Sequence, residues 1–219
     1  MLVKDNMSRH PYMLEESSSI VDAQRYMGEV RVRYLPVVGD GKRLTGLITR
    51  DTLLIEPGSL DSLNVWEITR YLSSLKVKKV MIKAKDVFSI EEDATIESAA
   101  LLMIENTIGC LPVLKGKVVV GLITQEGILA QLCQLLVTER PGIRVSVKLP
   151  DISGEHQKLA DQVQKQGWEI LSIGGVPDPK DKTHYSTVIK IATDAPLDEV
   201  ERIINLIEGQ TVLDIRQTI

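Results

Sequence analysis

Two segments of the chain place apolar residues at helical spacing, directly after a residue that can cap a helix. Ser19 and Thr95 precede these segments, and each hydroxyl can accept a hydrogen bond from a free amide in the first helical turn. The apolar faces consist of Ile20, Ala23 and Met27 in the first segment and of Ile96, Ala99 and Met103 in the second. We therefore predict two amphipathic helices that each bury one face.

Each predicted helix is followed by two short apolar runs, which a glycine-containing turn separates. The predicted strands are Leu35–Val38 and Leu44–Ile48 after the first helix, and Leu111–Leu114 and Val118–Ile123 after the second. Thr49 and Thr124 end the second strand of each pair, and a second helix is predicted to begin there. Each unit therefore has the order strand, helix, strand, strand, helix.

The two units are copies of one another. Leu35-Pro36-Val37-Val38 recurs as Leu111-Pro112-Val113-Leu114, and Gly46-Leu47-Ile48-Thr49 recurs, at nearly the same offset, as Gly121-Leu122-Ile123-Thr124. These matches indicate the duplication of a unit of about 55–60 residues. A single copy would leave an apolar face uncovered, so we expect the two copies to pack about a pseudo-twofold axis.

The hydrophobic pattern changes near Glu139-Arg140-Pro141-Gly142, where we predict a domain boundary. The elements predicted beyond it are strands at Ile143–Leu149, Glu169–Gly174, Tyr185–Ala192 and Val212–Arg216, with helices at about Glu155–Gln166 and at Leu197–Ile207. Their order is βαββαβ, which is the ferredoxin-like arrangement. The whole chain is therefore expected to combine α/β repeats with an α+β domain.

Charge and cysteine content exclude several classes of function. The 219 residues include 26 basic and 30 acidic side chains, so no basic surplus indicates nucleic acid or an anionic membrane as a partner. We expect no membrane span, no secretory signal and a cytoplasmic location. Cys110 and Cys133 are too few for a disulfide framework or a zinc site, and both are interpreted as core residues.

No arrangement of residues predicts catalysis. The three histidines lie in different regions, and neither a nucleophile motif, nor a phosphate-binding glycine loop, nor the spacing of metal ligands is present. We therefore expect a protein that is not an enzyme, with no catalytic residues, no metal and no resident cofactor.

The duplicated motifs resemble those of CBS domains, and the tandem pair resembles a CBS pair, or Bateman module. The resemblance implies CBS repeats at residues 1–56 and 76–138, joined by a linker helix at 57–75 and followed by a further domain at 139–219. The linker resembles that of acetoin-utilisation AcuB-like proteins, and Leu63, Trp66 and Leu72 are spaced for an amphipathic helix that covers the repeats. The last domain resembles an ACT domain, a regulatory fold that often binds amino acids.

The CBS resemblance implies an AMP- or ATP-type ligand in clefts between the repeats. A strand that leads into a helix N-terminus favours an anion, and Thr49 and Thr124 add hydroxyl donors there. The candidate ligand-binding residues are Thr49, Arg50, Asp51, Thr52, Arg33, Thr124, Glu126 and Lys83. The better site is expected to combine Thr49 with the arginines of the first repeat. Both threonines can equally be simple N-caps, and this alternative stays open.

The sequence departs from the family pattern at the residue that binds ribose. The resemblance implies an Asp three residues after each threonine, but Thr52 and Gly127 occupy these positions. Asp51 and Glu126 come one residue earlier, about 100° around a helix. The ACT resemblance implies an amino-acid site at Asp151, Ser153 and Gly154, in the loop after the first strand of that domain.

These observations lead to one principal hypothesis and one alternative. The protein is expected to be a regulatory ligand sensor and a homodimer that controls an unidentified protein, with a link to acetoin metabolism implied by resemblance. The alternative is a dimerising interaction scaffold without a small-molecule ligand.

Overall fold

The first helices of the two repeats have the same cap and the same burial pattern. Helix α2 (Ile20–Glu29) begins where the Ser19 hydroxyl accepts a hydrogen bond from the Asp22 amide, at 3.1 Å. Helix α5 (Ile96–Glu105) begins where the Thr95 hydroxyl accepts from the Ser98 amide, also at 3.1 Å. The buried residues of these helices are Ile20, Ala23 and Met27, and Ile96, Ala99 and Met103. The predicted caps and faces are confirmed.

The computed structural model describes residues 1–54 and 64–218. The chain divides into two compact units, Met1–Ile128 and Leu129–Ile219. This division falls within a helix. The domain boundary that the sequence predicts, between residues 138 and 139, stays a prediction. Among the described helices, none has both the length and the apolar character that are needed to cross a membrane.

Each repeat forms a four-stranded sheet. In the first repeat, the strand order across the sheet is β2 (Leu14–Glu15), β3 (Tyr34–Val38), β4 (Leu44–Thr49) and β5 (Ile82–Lys83). In the second repeat, the strand order is β1 (Ser8–Arg9), β8 (Val118–Thr124), β7 (Cys110–Lys115) and β6 (Ile90–Glu91). The central hairpins β3–β4 and β7–β8 are antiparallel, and the strands predicted for them are confirmed.

The two repeats exchange their leading segments. Strand β1 precedes the first repeat in the chain but pairs with β8 of the second, and β5 precedes the second repeat but pairs with β4 of the first. Short helices α1 (Val3–Asn6) and α4 (Val77–Val80) follow the same exchange. Val3 is therefore buried in the core of the second repeat, and Val77 in that of the first. The exchange ties the two copies into one unit.

The segments after Thr49 and Thr124 differ. In the second repeat, helix α6 (Gln125–Leu135) follows the strand, as predicted. In the first repeat, a single 3₁₀ turn (Asp51–Leu53) follows Thr49, so the described residues up to 54 show this short turn in place of the predicted helix.

The inter-repeat segment contains helix α3 (Val65–Ser74), which confirms the prediction of a helix there. Trp66 is 84% exposed, so the prediction that this side chain covers the repeats is wrong. Leu63 and the side chain of Leu72, the other two positions of that prediction, lie outside the described residues.

The second unit has the element order βαββαβ. Its elements are β9 (Gly142–Pro150), α7 (Glu155–Lys165), β10 (Glu169–Pro177), β11 (His184–Ala192), α8 (Leu197–Ile204) and β12 (Thr211–Thr218). The strand order is β10-β11-β9-β12, and all neighbours are antiparallel, which is compatible with a ferredoxin-like domain. Alternate residues of β9 are buried, and the apolar faces of both helices contribute to the same core.

The two cysteines have different environments. Cys110 is buried, as predicted, and burial raises the pKa of its thiol to about 12. Cys133 is exposed, so the prediction that it belongs to the core is wrong. Cys133 lies on α6, whose Leu129, Leu132 and Leu135 are also exposed. The apolar residues of this helix are therefore not all covered within the chain, and a cysteine among them is not a core residue.

Candidate functional site

Two cavities lie within the first unit, where residues of both repeats meet. Cleft A has a volume of about 520 Å³ and is lined by Ser8–Tyr12, Arg31–Tyr34, Leu122, Thr124 and Glu126. Cleft B has a volume of about 400 Å³ and is lined by Tyr34, Leu47, Thr49, Asp51, Thr52, Ile82, Asp86–Phe88 and Thr107–Cys110. Both volumes fall in the range of small-molecule sites.

Strand exchange determines which residues enter cleft A. Because β1 pairs with β8, Arg9 lies opposite Gly121, and the residues that follow β1 reach the end of β8 at Thr124. That the leading segment of the first repeat lines a cleft beside Thr124 of the second was not predicted from the sequence. The recurrence of Val3-Lys4 as Val77-Lys78 is a signal that these leading segments belong to the repeat.

Cleft A has a cationic lining. Arg9, Arg31 and Arg33 contribute three positive charges, and Glu126 contributes one negative charge. Arg33 Nη1 lies 2.9 Å from Glu126 Oε1, and both side chains are more than half exposed. An ion pair this exposed stabilises a protein by only about 0–1 kcal/mol. An anionic ligand could therefore take Arg33 from Glu126 at little cost.

The two threonines act as caps, which favours the simpler of the two interpretations of them. Thr124 Oγ1 accepts a hydrogen bond from the Gly127 amide at 3.2 Å, and Thr49 Oγ1 accepts one from the Thr52 amide at 3.3 Å. The Thr52 hydroxyl in turn accepts from the Thr49 amide and donates to the Thr49 carbonyl. A hydroxyl that accepts one bond still has a proton to donate, so capping and ligand binding are compatible.

The predicted ligand-binding residues are divided between the clefts. Cleft A contains Arg33, Thr124 and Glu126, and cleft B contains Thr49, Asp51 and Thr52. Arg50 and Lys83 are exposed and line neither cavity. The predicted grouping of Thr49 with the arginines of the first repeat is therefore wrong, because each threonine faces residues of the other repeat.

Both carboxylates that follow the threonines line a cavity. On a regular helix, Asp51 and Glu126 would point about 100° away from the ribose-binding position. Asp51 instead lines cleft B and Glu126 lines cleft A. Asp51 can do so because the chain forms a short 3₁₀ turn there instead of a regular α-helix.

The aromatic ring of Tyr34 lines both cavities. It packs against a small buried cluster of Leu47, Cys110 and Leu122, which both repeats contribute. Burial is the main cause that raises the pKa of the Tyr34 hydroxyl, so this group stays a neutral donor at physiological pH.

The predicted amino-acid loop lies at the start of α7 in the second unit. Asp151 and Ser153 are exposed, and Gly154 has a φ of 93°, a left-handed conformation that favours glycine. Glu155, which was not predicted from the sequence as a site residue, is buried directly after this loop. Its carboxylate accepts hydrogen bonds from Lys158 and Gln210, and these bonds lower its pKa.

Among residues 1–54 and 64–218, no group of three or more histidine, cysteine, aspartate or glutamate side chains is placed to hold a metal ion.

A model of the CBS domain matches residues 3–57 and 77–133, which together make up just over half of the chain. The chain therefore belongs to the CBS domain family, and its two copies form a CBS pair. CBS pairs are regulatory ligand-binding modules.

Three relatives illustrate the range of proteins that carry this module. A putative acetoin utilization protein (AcuB) from Vibrio cholerae has 29% identity and a TM-score of 0.53 over 64% of this chain and 95% of its own. CBSX2 in complex with AMP has 23% identity and a TM-score of 0.50 over 61% of this chain and 96% of its own, and shows the shared fold. Homoserine O-acetyltransferase from Methanocorpusculum labreanum has 29% identity over 127 residues, 58% of this chain. The match covers only 23% of that curated relative.

Proposed function

We propose that the protein is a non-enzymatic regulator that binds an adenosine nucleotide in cleft A. The observation that carries the proposal is the lining of this cavity, in which Arg9, Arg31 and Arg33 face Thr124 at the start of α6. Guanidinium groups form strong, often bidentate, hydrogen bonds with phosphate, and the amides at a helix N-terminus favour the same charge. The phosphate would therefore lie among the arginines.

Glu126 would take the role that an Asp at position 127 would have in the family. Its carboxylate lines cleft A, and only Arg33 forms an ion pair with it in the described part of the chain. A phosphate that binds Arg33 would release this carboxylate, which could then accept hydrogen bonds from the ribose hydroxyls. Binding would in this way exchange one ion pair between the repeats for contacts through the ligand.

The test is the thermal shift that AMP and ATP cause in the full-length protein. A ligand that binds only the native state raises stability by RT ln(1 + [L]/Kd), about 2.7 kcal/mol at 100 times Kd. Arg33→Gln should remove most of this shift. Arg50→Ala is the matched control, because Arg50 is an exposed arginine of the same repeat that lines neither cavity. Equal shifts in both variants, or no shift in the wild type at millimolar nucleotide, would rule out cleft A as the site.

We propose a second regulatory input in the C-terminal unit, which we interpret as an ACT-like domain. The element order and the loop Asp151–Gly154 support this interpretation. An amino acid would bind at this loop, where Asp151 and Ser153 are exposed. Titration calorimetry with the natural amino acids, repeated on Asp151→Ala, would test the site.

The cellular role that we propose is cytoplasmic control of a partner protein in acetoin or short-chain carbon metabolism. The similarity to the AcuB protein of Vibrio cholerae supports this role. A dimerising scaffold without a small ligand is the second candidate, and the exposed leucines of α6 favour it. Nucleotide titration separates the two, since a scaffold would show no thermal shift.

A further inference from the structure

One ionisable side chain in the lining of cleft A has no part in the nucleotide site described so far. His10 lines this cavity beside Arg9 and is exposed in the single chain. Within residues 1–54 and 64–218, its imidazole ring forms no hydrogen bond and no ion pair with the protein. Both ring nitrogens are therefore available to a ligand in the cavity.

The fold holds His10 at this position. The residue before it, Arg9, pairs with Gly121 across strands β1 and β8, and the residue after it is Pro11, whose ring restricts its own φ. His10 has a φ of 51°, a left-handed conformation in which histidine, asparagine and aspartate are enriched among the residues other than glycine. The chain therefore turns at His10, and the residues on both sides of the turn line the same cavity.

The charges around His10 come from three parts of the first unit. The titratable and charged groups that share the lining with it are Arg9 and Tyr12 of the leading segment, Arg31, Arg33 and Tyr34 of the first repeat, and Glu126 of α6. Among these described groups, Glu126 is the only carboxylate, and it is paired with Arg33. Three arginines repel a further positive charge on the imidazole, whereas a bound phosphate would attract one.

A phosphate in the cavity would therefore change the protonation of His10. A phosphate monoester carries a charge of about −1.5 to −2 at neutral pH. Histidine is the side chain whose charge ordinarily changes between about pH 5 and pH 8, so a nearby dianion can cause it to take up a proton. The protonated ring presents two N–H donors, and charge-assisted hydrogen bonds to phosphate oxygens are strong.

We propose that His10 is a fourth cationic contact of the phosphate in cleft A, and that it takes up a proton when the nucleotide binds. This inference rests on the proposed function, because the phosphate must lie among the arginines. It adds a form of regulation that nucleotide binding alone does not imply, since affinity then rises as the pH falls from about 8 to about 6.5. Proton uptake should be larger for ADP than for AMP, because a larger negative charge attracts the proton more strongly.

The second repeat has no equivalent of this histidine. Val3-Lys4 recurs as Val77-Lys78, and at the same spacing His10 corresponds to Ala84. No histidine lines cleft B among the residues that the structure describes. A proton that is taken up with the nucleotide would therefore report on cleft A.

The experiment counts the protons that enter with the ligand. Adenosine, AMP and ADP are titrated by calorimetry into the full-length protein at about pH 7.4, in MOPS and in Tris, which differ in their enthalpy of ionisation. The difference between the two measured heats gives the number of protons taken up for each ligand bound. The test variant is His10→Asn, because asparagine tolerates the left-handed backbone and cannot be protonated. His156→Asn is the matched control, since His156 is an exposed histidine outside both clefts.

We expect the wild type to take up at least about 0.3 of a proton with AMP, more with ADP and none with adenosine. The Kd for AMP should fall about three- to fivefold between pH 8 and pH 6.5. His10→Asn should lose most of the uptake and most of this pH dependence, and it should still bind AMP at pH 8. The uptake that remains in this variant belongs to the phosphate itself, whose second pKa is about 6. His156→Asn should resemble the wild type.

The outcomes distinguish this proposal from the proposed function. AMP binding to the wild type without proton uptake would overturn the role of His10 and leave the nucleotide site intact, and this result needs no variant. Equal uptake in the wild type and in His10→Asn would do the same, because the proton would then bind elsewhere. No binding of AMP or ADP to the wild type would overturn both proposals. Melting temperatures without ligand verify that His10→Asn is folded.

Discussion

The hydroxyl of Tyr34 occupies the space that a side chain on Gly109 would need. A β-carbon built on Gly109 would overlap the Tyr34 oxygen and would lie 3.0 Å from ring carbon Cζ. Tyr34 begins β3 of the first repeat, and Gly109 immediately precedes β7 of the second. The residue that corresponds to Tyr34 in the second repeat is Cys110, whose small side chain leaves room for a single ring between the copies.

This contact predicts that Gly109→Ala destabilises the first unit. Overpacking at a site like this costs about 1–3 kcal/mol, measured as the free energy of unfolding in denaturant. Adding Tyr34→Phe should recover part of the loss, since it removes the oxygen that overlaps most. Gly28→Ala is the control, because a β-carbon there meets nothing within 4 Å, and alanine in a helix should stabilise by roughly 0.5–1 kcal/mol. Equal stability of the two alanine variants would contradict the role of this contact.

Local sequence patterns predicted the elements well because each depends on neighbouring residues. The caps Ser19 and Thr95 and the strands of the C-terminal sheet are examples, since period and turn chemistry are local properties. The exchange of β1 and β5 between the repeats was not predicted. Two-residue strands carry almost no periodicity, and their partners are remote in the chain.

The candidate site was predicted less well, because the residues of each cleft also come from segments that are remote from one another in the chain. Thr49 and Arg33 are close in sequence and were grouped together, but each cleft is formed from both repeats. The sequence identifies the charged and hydroxyl residues near the threonines, whereas their assignment to one cleft or the other needs the three-dimensional packing. The exposure of Cys133 and Trp66 likewise depends on which helix faces find a partner.

Asp181 should make the stability of the C-terminal unit depend on acid. Hydrogen bonds from Lys148 and Thr183 hold the pKa of this carboxyl well below its ordinary value. Because the folded pKa is depressed, the contribution is complete above the unfolded pKa of about 3.9 and is lost as the pH falls below it. Asp181→Asn should therefore melt at a lower temperature than the wild type at pH 6, and the difference should shrink between pH 5 and pH 2.5.

The control for this prediction is Asp194→Asn, an exposed aspartate of the same unit. The melting temperature of this variant should equal that of the wild type at pH 6 and between pH 5 and pH 2.5. A constant difference between Asp181→Asn and the wild type across this pH range would show that the carboxylate contributes by shape and not by charge.

The exposed leucines of α6 predict a homodimer. Leu129 and Leu132 of this helix, and Leu136 directly after it, recur at three- and four-residue spacing and are all exposed in the single chain. Light scattering at micromolar concentration should give the mass of two chains, and Leu132→Glu should shift it towards one. Leu206→Glu, at another exposed leucine, should leave the mass unchanged. A wild-type mass of one chain would refute the prediction.

Gly127→Asp should strengthen nucleotide binding in cleft A. A β-carbon at Gly127 would meet only Thr124 Oγ1, at an ordinary contact distance of 3.7 Å, so the helix can accept a side chain there. The new carboxylate would stand three residues after Thr124, where the family resemblance places the group that binds ribose, and hydrogen bonds to a charged group contribute about 1.5–3 kcal/mol. After the cost of desolvation, we expect the Kd for AMP to fall about tenfold, or roughly 1.4 kcal/mol. Gly127→Ala is the control, because it adds the same β-carbon without the charge and should leave the Kd unchanged. If both variants bind AMP like the wild type, the ribose does not lie beside Thr124, and the proposed orientation of the nucleotide in cleft A is wrong.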